Sequence, residues 1–112
     1  MIGITESNIG GRIRRMNFSS NAWYLFCKMH ALALEDASKV LFDTKTPEAL
    51  RDMVYCALVV SDRAEGKEVD YNEYTVGEWI DKIPQEELTR YVNVLFEGSA
   101  KPEATKKKVK SK

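Results

Sequence analysis

Apolar side chains are spaced unevenly along the chain, and the spacing divides it into segments. The densest stretch is Met53-Val54-Tyr55-Cys56-Ala57-Leu58-Val59-Val60, eight residues without a charge inside Thr46–Gly66. Its ends carry helix signals. Thr46 suits an N-cap, whose side-chain oxygen accepts from a first-turn N–H, and Pro47 suits the first helical position. Glu48 and Asp52 favour the positive end of the helix dipole. Gly66 suits a C-terminal position with positive φ. A helix apolar on every side is buried on every side, so this segment is the expected centre of the fold. It is too short to span a bilayer and is closely flanked by charges.

On either side the period is also helical. Trp23, Phe26, Cys27 and His30 fall at i, i+3, i+4, i+7, which predicts a helix from Ser19 or Ser20 to Leu32. Leu34–Phe42 predicts a short helix with Ala37, Val40 and Leu41 inward, and Asp43-Thr44-Lys45 a loop into the central helix. Lys67–Thr75 reads as a surface loop, although Val69 and Tyr71 alternate as in a short extended piece. Thr75 followed by Glu78 matches a capping box and predicts a helix over Val76–Ile83, with Trp79, Ile80 and Ile83 inward. Pro84–Glu97 predicts a last helix bearing Leu88, Tyr91, Val92, Leu95 and Phe96 on one side, closed by Gly98. Strand-period segments are nearly absent. The expectation is therefore an all-α fold, a small domain of about five helices over residues 18–98 around one buried central helix.

The two ends differ from this body. Residues 1–17 hold Ile2, Ile4, Ile9 and Ile13 among polar residues and Gly10-Gly11. They read as a basic arm, loosely packed or ordered only by a partner, with the glycine pair as a joint. Residues 99–112 carry one large apolar residue, Val109, and read as a disordered lysine-rich tail.

Charge sharpens this division. The formal net charge is +0, but residues 1–30 carry +3, residues 31–100 carry −8 from seven basic and fifteen acidic side chains, and residues 101–112 carry +5. Basic ends on an acidic body steer binding toward acidic partners or keep the body soluble. The apolar and charged fractions, 44% and 30%, are those of a globular chain, which argues against wholesale disorder. The 112 residues leave room for one core. The N-terminus lacks the apolar stretch of a signal peptide, and Cys27 and Cys56 both lie in apolar helical patterns. A cytoplasmic protein with structural thiols is expected.

Candidate chemistry is sparse. Cys27 and His30 are spaced as metal ligands on a helix, yet only Cys56 remains as a further soft ligand, too few for a zinc site. An apolar surround raises a thiol pKa, against a Cys–His nucleophile. The carboxylates Glu35-Asp36, Glu65, Glu68, Asp70, Glu73 and Glu86-Glu87 read as solvated faces. Gly10-Gly11 lacks the remainder of a phosphate loop. Neither enzyme, metal nor cofactor is expected. Lys106-Lys107-Lys108 suits phosphate contact but has no interleaved aromatic for base stacking.

The helix order resembles that of the tail assembly chaperones of long-tailed phages and prophages over residues 18–97. The likeness lies in Asn21–Leu34 (NAWYLFCKMHALAL), in Thr46–Val60 (TPEALRDMVYCALVV), and in Tyr74–Phe96, where a capped helix with Val76-Gly77-Glu78-Trp79-Ile80-Asp81 precedes an amphipathic helix. The arm over residues 1–17 has no counterpart. The resemblance implies a non-enzymatic adaptor of the host cytoplasm that binds the tape measure protein and assists tail tube assembly. It also implies a longer frameshifted product, for which the lysine codons of Lys106–Lys108 would be the slippery site. Trp23, Phe26, Trp79, Ile83 and Tyr91 are the candidate partner-binding residues, because aromatic rings anchor helix grooves. A nucleic-acid-binding regulator using the basic termini is the alternative, a toxin or phage-defence module stays open as a further class, and a homo-oligomer is left open.

Overall fold

The computed structural model describes residues 3–43 and 47–99. Two strands precede five helices: β1 (Ile4–Ile9), β2 (Arg12–Asn17), α1 (Ser20–His30), α2 (Leu34–Asp43), α3 (Pro47–Ala64), α4 (Glu73–Ile80) and α5 (Gln85–Ser99). Among the described residues the fold is mostly helical, with one two-stranded antiparallel sheet. The all-α expectation is corrected on that point. Thr46 and the tail from Ala100 lie outside the described residues.

The supposed arm is the hairpin. Gly10 and Gly11 both have positive φ, +68° and +86°, as a two-residue type I′ turn requires. Ile9 pairs with Arg12, and the ladder runs from there to Ile4 opposite Asn17. Alternation then places Thr5, Ser7 and Ile9, with Arg14 and Met16, on the inner face, of which Ser7, Ile9 and Met16 are buried. Phe18 continues that face, fully buried, and its N–H donates to Gly3 O at 2.7 Å.

Helix α3 sits at the centre. Met53, Val54, Cys56, Ala57, Leu58 and Val59 are all buried, as its apolar run requires. β2, α1 and α4 each pack on it, and α5 packs on β1. The hairpin thus links the central helix, through β2, to the last one, through β1. No described helix is long and apolar enough to cross a membrane.

Local chemistry sets the helix ends. α1 and α3 both close with a Schellman pattern. Leu32 N–H donates to Cys27 O (2.9 Å) and Ala31 N–H to Lys28 O (3.4 Å), while Lys67 N–H donates to Asp62 O (2.8 Å) and Gly66 N–H to Arg63 O (3.1 Å). The left-handed position is glycine in α3, as expected, but alanine in α1, at φ +53°. α4 starts earlier than the Thr75 capping box predicts. Asn72 is the N-cap, and its Oδ1 accepts from both Thr75 N–H (2.9 Å) and Thr75 Oγ1 (3.1 Å). The threonine is therefore the third residue of the helix. Gly98 does not close α5, which runs through it to Ser99. Residues 69–72 form no strand.

Leu58 is 1% exposed, and Leu58→Ala is expected to cost about 2–5 kcal/mol in urea unfolding, the range for a buried leucine. Ala31→Gly is expected to stabilise by roughly 0.5–1 kcal/mol, because glycine removes the left-handed strain at a small entropic cost in the unfolded chain. A melting temperature that falls in the Ala31→Gly variant would contradict this account of the α1 terminus.

Candidate functional site

The five candidate partner-binding residues do not share a surface. Phe26 and Tyr91 are completely buried, and Trp23 is nearly so. Trp23 and Phe26 meet edge to face at 6.2 Å between ring centroids. Trp79 and Ile83 are half-buried against the core. In this fold Trp23, Phe26 and Tyr91 serve as core, because a domain of this size needs large rings to fill its interior. Among the described residues the large apolar side chains that are exposed are Ile13, Tyr24, Leu34 and Tyr74. Tyr74 leads at 68% exposure, and the charged stretch around it in the sequence was the available signal.

Two polar clusters join elements across the core, and both contain carboxylates that are not solvated. Asp52, expected to favour the positive end of the helix dipole, is 3% exposed. Its Oδ1 accepts from Arg51 Nε at 2.8 Å, and its Oδ2 lies 2.9 Å from His30 Nε2 at the end of α1. The His30 ring rests on Phe26, with centroids 4.6 Å apart. His30 therefore points inward to α3 rather than to the helix edge.

A His–Asp pair is two thirds of a hydrolytic triad, so the neighbouring nucleophiles decide what it can do. Burial pushes the Cys56 thiol up to about 12, with the Asp52 carboxylate adding to the effect, and its Sγ donates to Met29 Sδ at 3.5 Å. Desolvation also raises the Cys27 thiol. Neither is a thiolate at neutral pH, so the pair fastens α1 to α3 without an activated sulfur beside it. Among the described residues no group of three His, Cys, Asp or Glu side chains is placed to hold a metal ion.

The second cluster joins the hairpin to α5. Ser7 Oγ donates to Glu87 Oε2 at 2.6 Å and lies 2.7 Å from Tyr91 Oη. With the serine proton given to the carboxylate, Tyr91 donates to Ser7. Arg90 donates to Glu87 through Nε (3.1 Å) and Nη2 (2.6 Å), to Thr5 Oγ1, and to Glu6 O at 2.9 Å. The bonds from Arg90 and then Ser7 hold the Glu87 carboxyl at about 2, far from the solvated behaviour expected of Glu86-Glu87. An acid held so firmly ionised is a weak base, and it acts as an anchor.

Around α4, arginines lie on aromatic rings. The Arg14 guanidinium sits 4.4 Å from the Trp79 ring centroid and 5.6 Å from that of Tyr71. Its Nε and Nη2 donate to Ile9 O (2.8 Å) and Gly10 O (3.2 Å). Gly10 is required for this packing as well as for the turn, since a Cβ there would stand 2.6 Å from Trp79 Cε2. Arg51 lies 5.2 Å from the Tyr74 centroid, and its stem crosses α4 at Gly77, where a Cβ would be 3.0 Å from Arg51 Cδ. Tyr71 Oη donates to Asp62 Oδ2 at 2.6 Å, and burial followed by this bond raises the phenol well above its ordinary value.

Comparison of the chain with protein-family models, with curated proteins and with solved structures finds no match to any of the three.

The depressed Glu87 carboxyl carries a pH dependence of fixed sign. Its contribution to stability is fully present above the ordinary carboxyl value of 4.5 and is lost as pH falls toward about 2. Glu87→Gln is expected to lower the urea midpoint at pH 7, with the gap to the parent protein closing between pH 5 and about pH 2. A gap that stays constant with pH would show that the carboxylate does not anchor the hairpin.

Proposed function

We propose that the protein is a non-enzymatic adaptor of the host cytoplasm, a tail assembly chaperone of a long-tailed phage or prophage, that binds the tape measure protein and assists tail tube assembly. The observation that carries this reading is the division of labour among side chains. The ionisable groups of the interior, His30, Asp52 and Glu87, are engaged in fastening helices and hairpin together, while large apolar side chains stand outside on the hairpin, α1, α2 and α4. Exposed rings on a rigid helical body suit the capture of an apolar or amphipathic helix. The order of helices that resembles the family supports the same reading.

The nucleic-acid alternative loses ground at the hairpin. Of its three arginines, Arg14 is stacked on Trp79, and Arg15 pairs with Glu65 at 3.0 Å and with Glu6 at 3.7 Å. Cations so engaged offer little counterion release on binding phosphate.

Co-expression with the tape measure protein of a neighbouring gene tests the proposal. That protein is expected to become soluble and to co-purify with this chain. Equal insolubility with and without it overturns the adaptor reading.

A further inference from the structure

The segment from Glu68 to Asp81 (EVDYNEYTVGEWID) combines two properties. It carries five carboxylates, Glu68, Asp70, Glu73, Glu78 and Asp81, and neither a lysine, an arginine nor a histidine. It also carries three rings, Tyr71, Tyr74 and Trp79, and every one has a guanidinium of the same chain over its face. Arg14 approaches Tyr71 and Trp79 from the hairpin, and Arg51 approaches Tyr74 from α3. Aromatic faces inside a ring of negative charge attract cations through the ring quadrupole and the carboxylate field together. The fold itself thus shows this segment receiving arginine twice.

One part of the segment stays exposed beside these contacts. Tyr74, Glu78 and Asp81 fall at i, i+4, i+7 along the outward side of α4, opposite buried Val76. Glu78 and Asp81 are exposed, and Tyr74 is the most exposed large apolar side chain among the described residues despite Arg51 beside it. Glu48 of α3 stands next to this line, its carboxylate 3.8 Å from Arg51 and its side chain 69% exposed. Arg51 itself is already neutralised, because Asp52 holds it at 2.7 Å. What faces outward is an aromatic ring beside Arg51, among carboxylates (Glu48, Glu78, Asp81) that outnumber the cations Arg51 and Lys82 once Asp52 is counted against Arg51.

We propose that this outward side of α4, Tyr74, Glu78 and Asp81 with Glu48, is a docking surface for an arginine-bearing amphipathic helix of a partner protein. Arginine is favoured over lysine because a planar guanidinium stacks on the phenol ring while donating to the carboxylates at its rim. Taking a protein helix as the occupant rests on the adaptor reading above. The surface contains none of the five residues expected from the sequence, Trp23, Phe26, Trp79, Ile83 and Tyr91.

The test uses the full chain and two synthetic amphipathic helical peptides, one with arginines along the edge of its apolar face and one with glutamates in their place. The arginine peptide is expected to bind, to shift the amide resonances of residues 72–81 and Glu48, and to lose affinity as salt is raised. Glu78→Lys combined with Asp81→Lys is expected to weaken binding by about tenfold or more. Both positions are exposed, so the melting temperature should not change. Tyr74→Ala should weaken the arginine peptide more than a lysine version of it. Equal binding of both charge types, shifts confined to another face, or undiminished binding by the double variant each overturns the proposal. So does binding that appears only after residues 100–112 are removed, since the occupant is then the chain's own lysine-rich tail. Peptide binding at this surface without solubilisation of a tape measure protein would retain the surface and reject the adaptor reading.

Discussion

The middle of helix α3, Met53 to Val59, is buried at every residue but Tyr55, and the rest of the chain is arranged to cover it. A single amphipathic neighbour covers about one side of a helix. α1 and α4 cover parts of α3, and the hairpin covers another with Met16 and the residues around it. The hairpin is therefore structural cover. Its two glycines reverse the chain in the least space, and the first also admits the Trp79 ring where any side chain would collide. α5 then packs on β1, with Glu87 and Tyr91 reaching Ser7 on the same inner face that carries Met16.

Apolar contact alone would leave these layers free to slide, since it is not directional. The polar groups inside the fold supply direction. Asp52 receives a histidine from α1 and an arginine from its own helix, and this fixes the azimuth of α1 about α3. Ser7, Tyr91, Glu87 and Arg90 do the same for the hairpin and α5, with one carboxylate as the hub. Removing one member of such a network leaves the others buried and unpaired, which costs more than the bond itself contributed.

The helices were legible in the chain from their period, while the expected caps misplaced the start of α4 and the end of α5 by a few residues. α3 carried an apolar run closed by Gly66; the run is buried except for Tyr55 and Val60, which are partly so, and burial extends beyond it to Ala49, Asp52 and Ser61. The hairpin was not legible, for a specific reason. Its inner face is filled at Thr5, Ser7 and Arg14 by polar side chains whose partners lie on α5 and α4, so apolar alternation is missing where it was sought. Without that alternation, the glycine pair resembles a joint instead of a turn. Asp52 was read only as a carboxylate favouring the positive end of the helix dipole, because its partner His30 lies 22 positions away. Among the candidate contact residues, ring size was legible but its use was not. Tyr91 has a serine to satisfy its hydroxyl inside, and nothing local to it announces that serine.

The hairpin clip also bears on the order in which the molecule can be completed. Ser7 meets Glu87 and Tyr91 across separations of 80 and 84 residues, so the first element of this sequence to be synthesised finds its polar partners only when almost the last one arrives. Until then the hairpin can seat Met16 and Phe18 on α3 while Ser7 and Thr5 remain hydrated. Closing that span carries a loop-entropy cost that the local helix contacts do not, and long-range contacts of this kind slow folding. The Thr5 and Ser7 end of the sheet's inner face is therefore the last part of the fold to find its partners, and docking of α5 is what closes it.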